Sequence, residues 1–366
     1  MTDDTSEDAQ SKFSGTRPVS LQYAFDVPRV AAFMREQVEG FSGELQVEQF
    51  RGGQSNPTFR LTAGRKRYVL RRKPPGTLLP SAHAVEREFR VISALSTTEV
   101  PVAHAYALCE DLSVIGTAFF IMDCVEGRIL WNPALPGMSN AERAAIYDEM
   151  NRVISALHRI DPAAVGLAEY GKPGNYVDRQ VARWTKQYRA AETERIEAVN
   201  RLIEWLPQHV PAGNETRIVH GDFRIDNVIF HASEPRILAV LDWELSTLGH
   251  PLVDFAYHCM TWRMPSGASR GLGGIDVQSL GIPLEADYLR TYLQRTGRKQ
   301  ADSVSPADWT YYLVFNMFRL VGILQGITAR ALQGNAVSTQ AQEAGTRTRP
   351  LAEQAWALAQ QIDTGR

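Results

Sequence analysis

The chain has 366 residues, of which 44% are hydrophobic and 22% charged, enough apolar side chain for a large core and too ordinary a balance for wholesale disorder. Lys and Arg number 39 against 41 Asp and Glu, and the net charge of −2 offers no footprint for nucleic acid or an anionic membrane. Cys109, Cys124 and Cys259 lie far apart with no C-x-x-C pair, which excludes a disulfide framework and a zinc site as sequence readings.

In chain order, residues 1–18 are polar and read as a disordered tail, without the basic start and apolar core of a signal peptide. A helix is expected over about 27–38, with Asp26 ahead of Pro28 as its start signal. Leu45, Val47 and Gln49 alternate up to Phe50 as a strand does, and Thr58–Ala63 and Arg67–Arg71 are two more strands around a turn at Gly64-Arg65-Lys66. Six of the nine residues from Arg65 to Lys73 are basic; with no aromatic stacking set beside them, they read as a solvated hairpin. A helix over about 81–96 starts at Ser81 and places Val85, Phe89, Ile92 and Leu95 on one face. Strands follow near 102–109 and 117–124, joined by a turn at Glu110-Asp111.

Beyond Gly127 the pattern turns helical. Ser139-Asn140-Ala141-Glu142 is a capping box for a helix carrying Ile146, Met150, Val153 and Leu157. Helical stretches run over about 177–206, strands over Arg217–Val219, Val228–Phe230 and Ile237–Leu241, and helices near 284–297, 307–333 and 338–361. The hydrophobic stretches Ser113–Met122 and Tyr311–Phe318 are too short to span a membrane, so a cytoplasmic protein is expected. The organisation predicted is α+β: a small antiparallel-sheet lobe over 19–124 with one key helix, and a larger helical lobe over 125–366.

The strongest chemical signal is His220-Gly221-Asp222-Phe223-Arg224-Ile225-Asp226-Asn227, followed after an apolar strand by Leu241-Asp242-Trp243-Glu244. An Asp in a loop, an Asn five residues on and an Asp at a strand end form the set used for phosphoryl transfer: the first orients the attacking hydroxyl, and the others hold Mg²⁺. Polar turn residues alone would give one such triplet by chance, but the ordered arrangement is not expected from turns.

These residues resemble the aminoglycoside phosphotransferase-like kinases, which include choline, fructosamine and homoserine kinases. The H-G-D-x-x-x-x-N run at 220–227 matches that family, and departs from protein kinases, which have H-R-D there and D-F-G in place of Asp242-Trp243-Glu244. Gly52-Gly53-Gln54-Ser55-Asn56-Pro57-Thr58, Tyr68 to Gly76 and Asp242 to Gly249 are similar to one branch, which in animals is fused to an acyl-CoA dehydrogenase. The resemblance covers about residues 20–345 and implies ATP and Mg²⁺ as cofactors and a small hydroxylated molecule as substrate, with a functional link to an acyl-CoA dehydrogenase.

The resemblance places a nucleotide-covering loop at 52–56, where glycines such as Gly53 permit close approach to phosphate and Ser55 and Asn56 can donate hydrogen bonds. It also implies a phosphate-binding cation at the end of the third strand, Arg71 with Lys73 in reserve. Its helical carboxylate partner is Glu88, which falls at −60° on the helical wheel between Ile92 and Leu95, whereas Glu86 falls outside the packed face. Backbone groups of Asp123 and Val125 are expected to meet the adenine. Cys124 reads as an inert packed thiol, His220 as a loop-holder, Asp254 as a brace for the loop, and Arg224 as a contact for the γ-phosphate. From Phe255 to Gln300 six basic residues face three acidic ones, which predicts an anionic acceptor, a hydroxy acid or its CoA thioester, with Arg263 first among its ligands. The rival readings are a nucleotide-binding pseudokinase or scaffold, and a kinase of an amino-alcohol or aminoglycoside.

Overall fold

The computed structural model describes residues 15–51, 56–76, 83–267, 271–298, 304–332 and 339–363, the backbone alone over 339–343. In the first lobe the strands are β1 (Thr16–Arg17), β2 (Leu45–Phe50), β3 (Thr58–Ala63), β4 (Lys66–Arg72), β5 (Ala105–Cys109) and β6 (Phe119–Asp123). They form one antiparallel sheet in the order β1-β2-β3-β4-β6-β5. Thr16 and Arg17 pair with Phe50 and Gln49, so the described end of the expected tail is a strand; residues 1–14 lie outside the described residues.

Strand alternation gives this sheet two different faces. Tyr68 and Leu70 of β4 and Phe119 and Ile121 of β6 pack with Val30, Ala31 and Met34 of α1 (Val27–Gln37). On the other face Phe120 joins Val85, Val91, Ile92 and Leu95 of α2 (Val85–Leu95) in the core that continues into the helical lobe. Each such side chain contributes about 1.5–3 kcal/mol of burial. Arg71 sits opposite Phe120 in the β4–β6 register and so shares the α2 face, whereas Arg72, opposite Phe119, turns towards α1. There the Arg72 guanidinium bonds Thr117 Oγ1 and the Ile115 carbonyl and lies 5.8 Å from the Phe25 ring centre. The basic hairpin is therefore solvated only at its outer end, and Arg71 and Arg72 are buried.

α2 begins at Val85, not at Ser81, which lies outside the described residues. The expected turn at Glu110-Asp111 leads into a short helix, α3 (Leu112–Ile115), because the Asp111 side chain accepts from the Ser113 N–H at 2.8 Å and caps it.

The helical lobe holds α4 (Asn140–Arg159), α5 (Tyr176–Ala191), α6 (Glu197–Trp205), α7 (Pro251–Cys259), α8 (Glu285–Arg295), α9 (Pro306–Leu332) and α10 (Thr339–Asp363). The capping box at Ser139 and Glu142 forms as read. Four short strands, β7 (Arg217–Val219), β8 (Val228–Phe230), β9 (Ile237–Val240) and β10 (Thr247–Gly249), make two antiparallel pairs, β7 with β10 and β8 with β9. The sequence reading contained neither β10 nor α7. α9 packs against α5, α7 and α10. By length and composition it is long and apolar enough to cross a membrane, contrary to expectation, but 67% of its most apolar window is buried inside the protein, as in a core helix.

The lobes meet at residues 124–128. The Arg128 and Phe230 backbones exchange hydrogen bonds of 2.8 and 2.9 Å, and the Val240 N–H donates to the Pro101 carbonyl at 2.9 Å. Gly127 allows this approach, since a Cβ there would stand 2.2 Å from the Phe230 carbonyl oxygen.

Candidate active site

The loop from His220 to Asn227 leaves β7 and is held from below by α7. Asp254, in the first turn of α7, accepts from the His220 N–H at 2.7 Å and the Gly221 N–H at 2.8 Å, and His158 Nε2 reaches it at 3.1 Å. Burial alone would push Asp254 up; the His158 and His220 donors outweigh it and hold the carboxyl below its usual range. Gly221 turns the loop at φ +83°, and a Cβ there would lie 2.8 Å from the Leu245 carbonyl oxygen. His220 Nδ1 accepts from the Asp222 N–H at 3.1 Å, so its proton sits on Nε2, which donates to the Leu241 carbonyl at 2.8 Å. His220 and Asp254 thus occupy the bracing positions expected of them.

Asp222 accepts at both oxygens, from the Tyr257 hydroxyl at 2.6 Å and from Asn227 Nδ2 at 2.9 Å. Burial and the adjacent Asp222 raise Tyr257, which keeps its hydroxyl protonated as the donor. Leu241 N–H donates to the Asn227 carbonyl at 2.8 Å, which brings the loop beside Asp242. Asp242 adopts φ +61° and ψ +58°, a left-handed conformation of the kind found at functional sites.

Arg71 reaches across from β4. It pairs with Glu88 at 2.8 Å and with Asp242 at 2.8 Å, and Glu244 lies 3.8 Å away. Glu88 is 1% exposed, as the helical wheel required, and burial pushes it up against the opposing pull of Arg71. Arg71 itself is raised, because Glu88, Asp242 and Glu244 outweigh its burial. Lys73 instead pairs with Glu86 at 2.9 Å, on the side of α2 away from Glu88.

Several expected ligands are placed otherwise. Asn56 is fully buried, with Nδ2 donating to Glu88 at 2.8 Å and Oδ1 3.0 Å from His83 Nδ1, so it braces Glu88 instead of facing a phosphate. Gly53 and Ser55 lie outside the described residues. The Asp123 N–H is taken by the His104 carbonyl at 2.9 Å and its carboxylate by the Tyr106 hydroxyl at 2.5 Å, so that N–H does not meet a base; Val125 is half-buried at the junction. Arg224 folds back onto Asp226, Nε to Oδ1 at 3.0 Å with a second contact from the other nitrogen. Arg263 pairs with Glu285, which also accepts from Trp309. Arg290, Arg295 and Arg298 are likewise paired, with Asp287, Asp148 and Glu215, while Arg270 and Lys299 lie outside the described residues. The four described arginines between Phe255 and Gln300 are therefore all in ion pairs.

Sequence reading missed Tyr257 and Arg319, whose relation to Asp222 exists only in the folded chain. It also missed Arg87, which stacks 4.2 Å from the Tyr170 ring centre and donates to the Tyr170 carbonyl at 2.8 Å and the Ser246 carbonyl at 3.4 Å. Tyr170 and Ser246 share a hydroxyl hydrogen bond of 2.7 Å. This clamp ties α2, and with it Glu88, to the helical lobe.

Two buried histidines at the ends of α7, His250 and His258, are lowered by burial to about 4. The unfolded chain takes up their protons near pH 6.5 and the folded chain only near 4, so stability is full above 6.5 and falls as pH drops towards 4. The expected loss is about 3 kcal/mol for each histidine, read as a falling denaturation midpoint between pH 7 and 4; a flat midpoint across that window contradicts it.

Comparison with known proteins agrees with this geometry. Residues 46–298 match the family model of the phosphotransferase enzyme family. A crystal structure from Ralstonia eutropha, provisionally named an aminoglycoside phosphotransferase, is 57% identical, covers 92% of this chain and 99% of its own, and superposes with a TM-score of 0.85. Aminoglycoside phosphotransferase APH(4)-Ia, in complex with AMP-PNP and hygromycin B, shares the fold at 15% identity and a TM-score of 0.58, over 90% of this chain and 98% of its own. Mouse acyl-CoA dehydrogenase family member 10 is 46% identical over 94% of this chain, and rat acyl-CoA dehydrogenase family member 11 is 41% identical over 92%. This chain spans only 32% and 44% of those two relatives. A match over most of the chain, with the H-G-D-x-x-x-x-N loop in place, shows that the chain belongs to the phosphotransferase enzyme family.

Proposed function

We propose that the chain transfers the γ-phosphoryl group of ATP to a hydroxyl of a small molecule. Asp222 aligns the hydroxyl, Asn227 and Asp242 hold Mg²⁺, and Arg71, fixed by Glu88, holds the α- and β-phosphates. The observation that carries this reading is the run of contacts joining Glu88, Arg71 and Asp242 to the loop bearing Asn227 and Asp222.

The donor set fits Mg²⁺. The Asn227 amide spends its NH₂ on Asp222, which leaves its oxygen as the ligand, and Asp242 gives only Oδ1 to Arg71. Both are oxygen donors, and among the described residues no cluster of three or more His, Cys, Asp or Glu suits a metal ion, in keeping with an ion shared with phosphates and water. Mg²⁺ when bound neutralises charge on the β- and γ-phosphates. Asp222, with a donor on each oxygen, is fixed in orientation. That suits a loose transition state, in which aligning the hydroxyl matters more than removing its proton early. As the new O–P bond forms and ADP departs, the hydroxyl proton passes to Asp222.

For the acceptor we infer a hydroxy acid or hydroxyacyl-CoA, with an acyl-CoA dehydrogenase acting on the same class of molecule. The support is the identity with animal acyl-CoA dehydrogenase family members, and the arginine count adds none. A mass-spectrometric screen of hydroxylated metabolites with Mg·ATP tests both levels. Phosphorylation of hydroxy acids or hydroxyacyl-CoA faster than any aminoglycoside is expected. Faster transfer to an aminoglycoside overturns the acceptor class, and bound ATP with no transfer to any alcohol or to water overturns the kinase reading in favour of a scaffold.

A further inference from the structure

On the side of Asp222 away from Asn227 lies a two-residue assembly with no part in the roles above. Tyr257 of α7 is 6% exposed, and its hydroxyl donates to Asp222 Oδ1 at 2.6 Å. The Arg319 guanidinium of α9 lies 4.8 Å from the centre of the Tyr257 ring and 5.7 Å from that of Trp184. It donates to the Gly221 carbonyl at 2.6 Å, in the peptide that precedes Asp222. Arg319 is 7% exposed, yet no carboxylate among the described residues comes within the 4.0 Å of an ion pair. A buried guanidinium without a carboxylate is costly, and two ring faces with one carbonyl return only part of that cost. Packing stability is thus a poor reason for an arginine here, and two of its three contacts, the Tyr257 ring and the Gly221 carbonyl, lead to the loop that carries Asp222.

We propose that Tyr257 and Arg319 are positioning residues for Asp222: Tyr257 stops the carboxylate from rotating, and Arg319 fixes both the tyrosine ring and the Gly221 peptide. The proposal rests on the reading of Asp222 as the group that aligns the acceptor hydroxyl. A carboxylate pivots about its Cβ–Cγ bond, and the Asn227 amide holds only one oxygen. The Tyr257 donor fixes the other while leaving lone pairs on both for the incoming hydroxyl. Small misplacements of an aligning group are expensive in rate even when binding is untouched.

The test is Tyr257→Phe, which keeps the ring on Arg319 and removes only the donor. Turnover is read as Mg²⁺-dependent ATP hydrolysis with water as acceptor, and as transfer to whichever hydroxylated acceptor the screen identifies. The expected result is a fall in kcat of about 10- to 100-fold, with the KM for ATP within twofold of wild type and the melting temperature nearly unchanged. Arg319→Met is expected to lower kcat in the same way, and Arg319→Lys, which keeps a donor for the Gly221 carbonyl, to recover part of it. In an Asp222→Asn background the Tyr257→Phe change is expected to cost less than twofold more, because its target is already altered. A Tyr257→Phe kcat within threefold of wild type, beside an Asp222→Ala variant that has lost turnover, overturns the proposal alone. A fall in kcat matched by equal changes in KM and melting temperature also overturns it, as a merely structural role. Turnover that survives Asp222→Ala, or is absent in the wild type, removes the reading of Asp222 and the proposal with it.

Discussion

Asp222→Asn is expected to lower kcat by about 10²- to 10⁴-fold while leaving the affinity for Mg·ATP close to wild type. The amide keeps the shape of the side chain and one acceptor oxygen, but it loses the charge and the capacity to take the hydroxyl proton. It also offers an NH₂ to Tyr257 or Asn227, both of which donate to this side chain. Asp242→Asn should behave differently. Its carboxylate pairs with Arg71 and, on the reading proposed above, would give its other oxygen to the metal, so nucleotide affinity in the presence of Mg²⁺ should fall first, and the difference between calorimetry with and without Mg²⁺ should shrink. Equal Mg·ATP affinities for wild type and both variants would contradict the division of roles between the two carboxylates.

The second large effect concerns stability. Asp254→Ala removes one buried carboxylate and strands three donors, the N–H groups of His220 and Gly221 and Nε2 of His158. Each stranded buried donor costs about 1–3 kcal/mol, and breaking a buried charged cluster costs about 3–5 kcal/mol in total. A melting temperature lower by roughly 5 °C is expected for a chain of this size, with loss of turnover below that temperature as well, because the loop carrying Asp222 loses its support. A variant that melts with the wild type would show that Asp254 is dispensable as a brace.

The parts of the site that were legible in the sequence are those set by local rules. Glu88 could be chosen over Glu86 because helix periodicity fixes which carboxylate enters the core, and Arg71 over Arg72 because alternation puts one on each face of β4. The HGD loop and Asp242 were legible because their order and spacing are chemical requirements. α7 was not: Pro251 to Cys259 is buried on every side, so it shows no amphipathic period to find. β10 has three residues, too few for alternation to register. Asn56 was misassigned because a polar residue beside glycines looks like a phosphate donor until the fold sets Glu88 over it. The arginines after Asp254 misled for a related reason, since a charge count cannot see that Glu285, Asp287, Asp148 and Glu215 lie against them. Tyr257 lies 35 sequence positions from Asp222 and Arg319 lies 98 from Gly221, and no local pattern reports such a meeting.

Many kinases govern themselves by swinging the helix that carries the glutamate partner of the phosphate-binding cation. Here Arg87, one residue before Glu88, is pinned against Tyr170 and Ser246 of the other lobe. These contacts hold α2 in one position against the helical lobe, and a swing of the helix would have to break them first. On the kinase reading proposed above, Arg71 and Glu88 are then paired before nucleotide arrives, and the cost of preparing them is not taken from the affinity for ATP.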